Sequence, residues 1–205
     1  NISGASNAAL KRFDAAIESY KQALRIKPDY AEVHNNMGSA LSDKGDFEGA
    51  IESYKQALRI KPDYAGAYYN MGSVMKDKGD FEGAIKSYKQ ALRIKPDYAG
   101  AYNNMGNALS SKGDLEEAIE SYKQALRIKP DFAGAYNNMA NAMKNKGDLA
   151  EAIESCKQAL KIKPDYADAY YNMANAMKDK GDLAEAIDSY KQALKIKPNY
   201  ASAYY

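Results

Sequence analysis

The sequence predicts an all-α array of stacked helix pairs, and three observations carry that prediction. The six prolines of the 205-residue chain, Pro28, Pro62, Pro96, Pro130, Pro164 and Pro198, each stand 34 residues after the last. A fixed period of that length marks an array of units stacked on their neighbours, in place of one closed core. Each period also holds two runs with apolar residues at helical spacing, separated by Lys-Gly-Asp. No stretch alternates apolar and polar residues as a half-buried strand would.

Counting from Ala31, five complete copies occupy 31–64, 65–98, 99–132, 133–166 and 167–200. Residues 1–30 form a partial repeat with its second helix at about 13–27, and 201–205 begin a further one. The third copy shows the elements in order. Ala101, Tyr102, Met105, Gly106, Ala108 and Leu109 share one face of a first helix. Gly113 suits its C-terminal cap, which takes a left-handed backbone. Asp114 suits the N-cap of the second helix, with Glu117 as capping-box partner. Leu115, Ala118, Ile119, Tyr122, Ala125, Leu126 and Ile128 form that helix's apolar face. Pro130 ends it, lacking an amide proton and disfavouring helical geometry at Lys129. Asp131 is placed to cap the next first helix.

Composition excludes several functions. Lys plus Arg is 29 against 27 for Asp plus Glu, a net charge of +2, which lacks the basic footprint of a nucleic-acid binder. No apolar run is long enough to span a membrane, and the first residues show no basic region followed by an apolar stretch, so a cytoplasmic location is expected. One Cys (Cys156) and one His (His34) cannot form an internal disulfide, a Cys-based metal site or most catalytic constellations, and no metal site is expected. Neither an enzyme activity nor a cofactor is expected. All eight Met residues fall at first-helix core positions and read as packing residues, not as a copper or haem box.

The third copy places Tyr102, Met105-Gly106, Leu109, Ala118, Tyr122, Ala125 and Pro130 in a pattern that resembles the tetratricopeptide repeat (TPR). The second copy repeats it with Tyr68, Met71-Gly72, Met75, Ala84, Tyr88, Ala91 and Pro96. The match runs over residues 13–200. Departures are few: His34 and Cys156 each replace a Tyr, and Ala140 and Ala174 replace Gly at a close helix contact. His34 and Cys156 are both expected to pack between helices. The resemblance implies a right-handed superhelical solenoid of antiparallel helix pairs, with first helices lining a concave groove that binds peptides or partner proteins.

Register identifies the side chains that groove would present. Positions two, five, six, nine, twelve and thirteen of each copy lie on the non-core side of the first helix. Position six is an unbroken series, Asn36, Asn70, Asn104, Asn138 and Asn172. Position five carries Asn35, Tyr69, Asn103, Asn137 and Tyr171, and position nine Ser39, Ser73, Asn107, Asn141 and Asn175. Charges stand only at the edges, as Lys76, Asp77, Lys144, Lys178 and Asp179. An amide donates and accepts at once, so it can pair with the backbone of an extended segment whatever its sequence. The alternative for position six is that the amides bond within the protein.

The Asn series also resembles the repeat arm of O-linked N-acetylglucosamine transferases. A carboxylate clamp is not expected, because the matching positions hold Asn35, Gly66 and Asp168. The expected function is a non-catalytic interaction scaffold for a protein or peptide partner. The alternative is the substrate-recruiting arm of a larger transferase whose catalytic domain lies outside this chain. Incomplete repeats at both ends also lead us to expect head-to-tail association of chains.

Overall fold

The computed structural model describes the backbone of residues 2–200 and the side chains of residues 12–200. Every regular element among the described residues is an α-helix, and the chain forms two compact units, 1–97 and 98–205. The first unit holds α1 (Ile2–Ile26), α2 (Ala31–Lys44), α3 (Phe47–Ile60), α4 (Ala65–Asp77) and α5 (Phe81–Ile94). The second holds α6 (Ala99–Lys112), α7 (Leu115–Ile128), α8 (Ala133–Lys146), α9 (Leu149–Ile162), α10 (Ala167–Lys180) and α11 (Leu183–Ile196). Helices α2 and α3, α4 and α5, α6 and α7, α8 and α9, and α10 and α11 pack as pairs, antiparallel because short turns join them. Within each unit the second helix of one pair packs on the first helix of the next. The further repeat expected from residue 201 lies outside the described residues.

Glycine closes each first helix as its position predicted. Gly113 has φ 95° and caps α6 in the left-handed region, where Asp114 N–H returns to the Leu109 carbonyl at 3.0 Å. The N-caps differ from expectation. Asp46 and Asp80 accept a bond from the amides of Gly49 and Gly83, each at 2.9 Å. Asp114 makes no such bond; its carboxylate pairs with Lys112 at 3.0 Å, so the capping box with Glu117 is absent. The third helical residue explains the difference. A Cβ on Gly49 would stand 2.6 Å from Asp46 Oδ2, so the capping pose needs Gly there. Glu117 supplies a Cβ and a like charge, and the aspartate turns away. Asp131 does not cap α8 either. The cap residue is Phe132, whose carbonyl receives the Ala135 amide at 3.0 Å.

A second difference lies in α1, which runs unbroken from Ile2 to Ile26, where a second helix starting near residue 13 was expected. Position fifteen, the Gly of every complete copy, is Lys11 in this stretch. Without Gly the left-handed turn is costly, and the helix continues.

In the first three complete pairs, small residues and apolar side chains pack around one almost fully buried tyrosine, Tyr54, Tyr88 or Tyr122. Ala101, Ala108, Ala118 and Ala125 are fully buried, and Tyr122 is nearly so. In α8–α9, Cys156 is fully buried and packs with Ala140, Ile153 and Met173, as its expected packing role requires. His34 also packs: it is half-buried, and its Nε2 donates to the Pro28 carbonyl at 3.0 Å. The methionines are buried or half-buried as expected; Met71 and Met75, for example, pack around Tyr54. Lys78 reaches Glu48 of the preceding pair at 2.7 Å, and Lys146 reaches Glu116 at 3.7 Å. Such exposed pairs contribute little to stability, because water and salt screen them.

Candidate functional site

Inward positions of the first helices are consumed by the core, which leaves the Asn, Tyr and Ser positions on the opposite face. In the first unit Asn35 is buried, its Nδ2 donating to Asn36 Oδ1 at 3.3 Å. Asn70, one repeat on, donates from Nδ2 to Asn35 Oδ1 at 3.1 Å. The second unit repeats the arrangement. Asn103 donates to Asn104 at 3.2 Å, and Asn138 donates to Asn103 at 3.2 Å. Asn172 donates to Asn137 at 2.9 Å. Each buried position-five amide thus accepts from position six of the following first helix, so the series is a ladder between repeats.

The ladder leaves capacity unused. An Asn side chain has two N–H groups and a carbonyl oxygen with two lone pairs. Asn70, Asn138 and Asn172 are half-buried, and their bonds to the preceding repeat engage one donor each. Asn36 is exposed. Position five holds tyrosine in two copies. Tyr69 lies tilted against Tyr88 at 5.9 Å, and Tyr171 against Tyr190 and Tyr200 at 5.8 and 4.9 Å.

Position nine is engaged from behind. The Ser39 and Tyr54 hydroxyls are 3.2 Å apart, and Tyr88 donates to Ser73 at 3.2 Å. Tyr122 donates to Asn107 at 2.8 Å and Tyr190 to Asn175 at 2.6 Å. These second-helix tyrosines read from sequence as core alone, yet their hydroxyls reach through the first helix layer to this face. The available signal was glycine at position eight: Cβ atoms on Gly38, Gly72 and Gly106 would stand 2.7, 2.9 and 2.6 Å from the rings of Tyr54, Tyr88 and Tyr122. Burial raises the Tyr122 phenol above its ordinary value. It does the same for Tyr54, opposed by the Ser39 hydrogen bond and reinforced by Asp43. Asn141 is exposed and has no hydrogen-bond partner among the described residues, since Cys156 replaces its tyrosine. No cluster of His, Cys, Asp or Glu that could hold a metal ion occurs among the described residues, and no helix among them is long and apolar enough to cross a membrane.

Antiparallel helix pairs of this period, with glycine against tyrosine at each crossing of the first three complete copies, define a tetratricopeptide-repeat protein. The chain belongs to the family described as Cilia and flagella-associated protein 70 C-terminal domain, which matches residues 2–203. Solved structures of TPR proteins are similar in fold. MamA is 29% identical with a TM-score of 0.74, covering 81% of this chain and 97% of its own. YrrB, described as a TPR protein with an unusual peptide-binding site, is 23% identical with a TM-score of 0.73, covering 92% and 97%. A thermophilic TPR protein of Thermus thermophilus is 24% identical with a TM-score of 0.67, covering 85% and 95%. A comparison with curated proteins gave no significant match. The fold is that of a protein-interaction scaffold.

Proposed function

We propose that the first-helix face of each unit binds an extended segment of a partner protein, the amide ladder pairing with the segment's main chain. The observation that supports this reading is the spare capacity of Asn70, Asn138 and Asn172, half-buried amides held by one donated bond each. A fixed amide loses little rotamer freedom on binding, so each new bond is gained at low entropic cost. Tyr69 and Tyr171 add flat apolar area beside the ladder. Main-chain pairing makes affinity tolerant of the segment's sequence, which suits a scaffold.

The test uses blocked twelve-residue peptides selected on an array and titrated into the isotope-labelled chain. Side-chain amide signals of Asn70, Asn104 and Asn138 should shift with bound peptide. Replacing all three by Ala should weaken binding at least about tenfold while the far-ultraviolet spectrum stays helical. Affinity unchanged in the triple variant would sink the assignment.

A further inference from the structure

The fourth repeat differs from the others where the first-helix face meets the second helix. In the remaining complete copies position nine is held by a tyrosine hydroxyl, at 3.2 Å for Ser39 and Ser73, 2.8 Å for Asn107 and 2.6 Å for Asn175. Cys156 cannot reach Asn141, so that amide turns to solvent with all its donors and acceptors free. Lys144 stands one turn further along α8, at the i+3 spacing that puts two side chains on the same face. It is half-buried and has no ion-pair partner among the described residues.

Neighbouring charges do not neutralise it. Lys76, its counterpart in the first unit, is paired with Asp77 at 2.8 Å, but the residue after Lys144 is Asn145. Helix α8 contains no acidic residue. Glu116 and Asp148, from the helices packed on either side, pair with Lys146 instead, at 3.7 and 3.1 Å. On α10, Asp179 directly follows Lys178, and Lys180 beyond it pairs with Asp182 at 2.7 Å. The fourth repeat therefore presents a free amide beside an uncompensated ammonium.

We propose that Asn141 and Lys144 form a subsite for an acidic side chain, Asp or Glu, of the bound segment. This rests on the peptide-binding reading of the first-helix face and adds to it a preferred residue at a fixed register. The Asn141 N–H would donate to one carboxylate oxygen and the Lys144 ammonium to the other, a charge-assisted pair stronger than two neutral bonds. Half-burial of Lys144 shields that pair from part of the salt screening that weakens exposed ones. The substitution of Tyr by Cys156 thus acts on the face it no longer reaches, by releasing the amide.

The experiment titrates acetyl-Ala-Gly-Ala-Glu-Ala-Gly-Ala-amide into the labelled full chain, alongside the same peptide with Gln or Lys in place of Glu. The Glu peptide should bind about tenfold more tightly than the Gln peptide, shift the Asn141 side-chain amide, and lose its advantage in Lys144→Ala. A double variant, Ala140→Gly with Cys156→Tyr, restores the glycine–tyrosine crossing of the first three repeats and re-engages Asn141. It should keep the helical spectrum, retain peptide shifts at the other Asn positions and reduce the Glu preference severalfold. Equal binding of Glu and Gln peptides, or a preference that survives Lys144→Ala, overturns the subsite and leaves the ladder reading standing. Peptides that move no first-helix signal overturn both.

Discussion

A Cβ placed on Gly106 would stand 2.6 Å from Cε1 of Tyr122, closer than carbon atoms approach without displacement. The glycine is therefore the complement of the tyrosine, and the two set the separation of α6 and α7. Where the second helix carries Cys156, the matching position tolerates Ala140, and both side chains are almost fully buried.

Gly106→Ala should consequently destabilise the second unit, because a buried ring has little room to move. Overpacking of this kind costs about 1–3 kcal/mol. Urea unfolding should show a lowered midpoint, and hydrogen exchange should show the loss centred on α6 and α7. An unchanged midpoint would mean that the ring slides aside freely.

The amide ladder makes an unequal pair of mutants. Asn138→Ala removes the donor to Asn103, which is buried, and should cost about 1 kcal/mol or somewhat more. Asn141→Ala removes an exposed amide without a partner and should cost less than about 0.5 kcal/mol. Equal losses in a denaturation series would show that the ladder bonds contribute nothing to stability.

Helix caps give a second contrast. Asp80 accepts the Gly83 amide at 2.9 Å, so Asp80→Ala should cost about 1 kcal/mol. Asp148 makes no capping bond and, among the described residues, pairs with Lys146 at 3.1 Å in an exposed setting. Asp148→Ala should therefore cost less than half as much, read as the shift of urea midpoint between the two variants.

Alkaline pH should weaken the fold. Burial pushes the Cys156 thiol from its ordinary 9.0 up to about 12, and burial raises Tyr54 and Tyr122 as well. The folded chain holds these protons more tightly than the unfolded chain does. The Cys156 contribution is complete below pH 9.0 and declines as pH rises toward 12, while that of the tyrosines declines only above their ordinary 10.0. Native protein at pH 8 should resist iodoacetamide at Cys156 and react readily once unfolded in urea. Rapid native labelling would contradict the buried thiol.

Repeat length, helix order, the glycine that ends each first helix and the proline after each second helix were all legible in the sequence. They follow from local rules: 3.6-residue periodicity, the left-handed backbone that Gly alone enters freely, and the missing amide of Pro. The candidate site was legible only as a set of positions. Asn35 and Asn70 stand on the same side of their helices by register alone, but which is buried and which donates depends on how one repeat sits on the next. The capping of Asp46 and the release of Asp114 likewise turned on a Cβ three residues on, within the geometry of the folded turn. Tyr122 showed an apolar face to the sequence, and only the close packing of α6 on α7 brought its hydroxyl to Asn107. Periodicity assigns each side chain a face. Contacts 15 or 35 residues apart decide which polar groups on that face are already satisfied and which, like the Asn141 amide, are not.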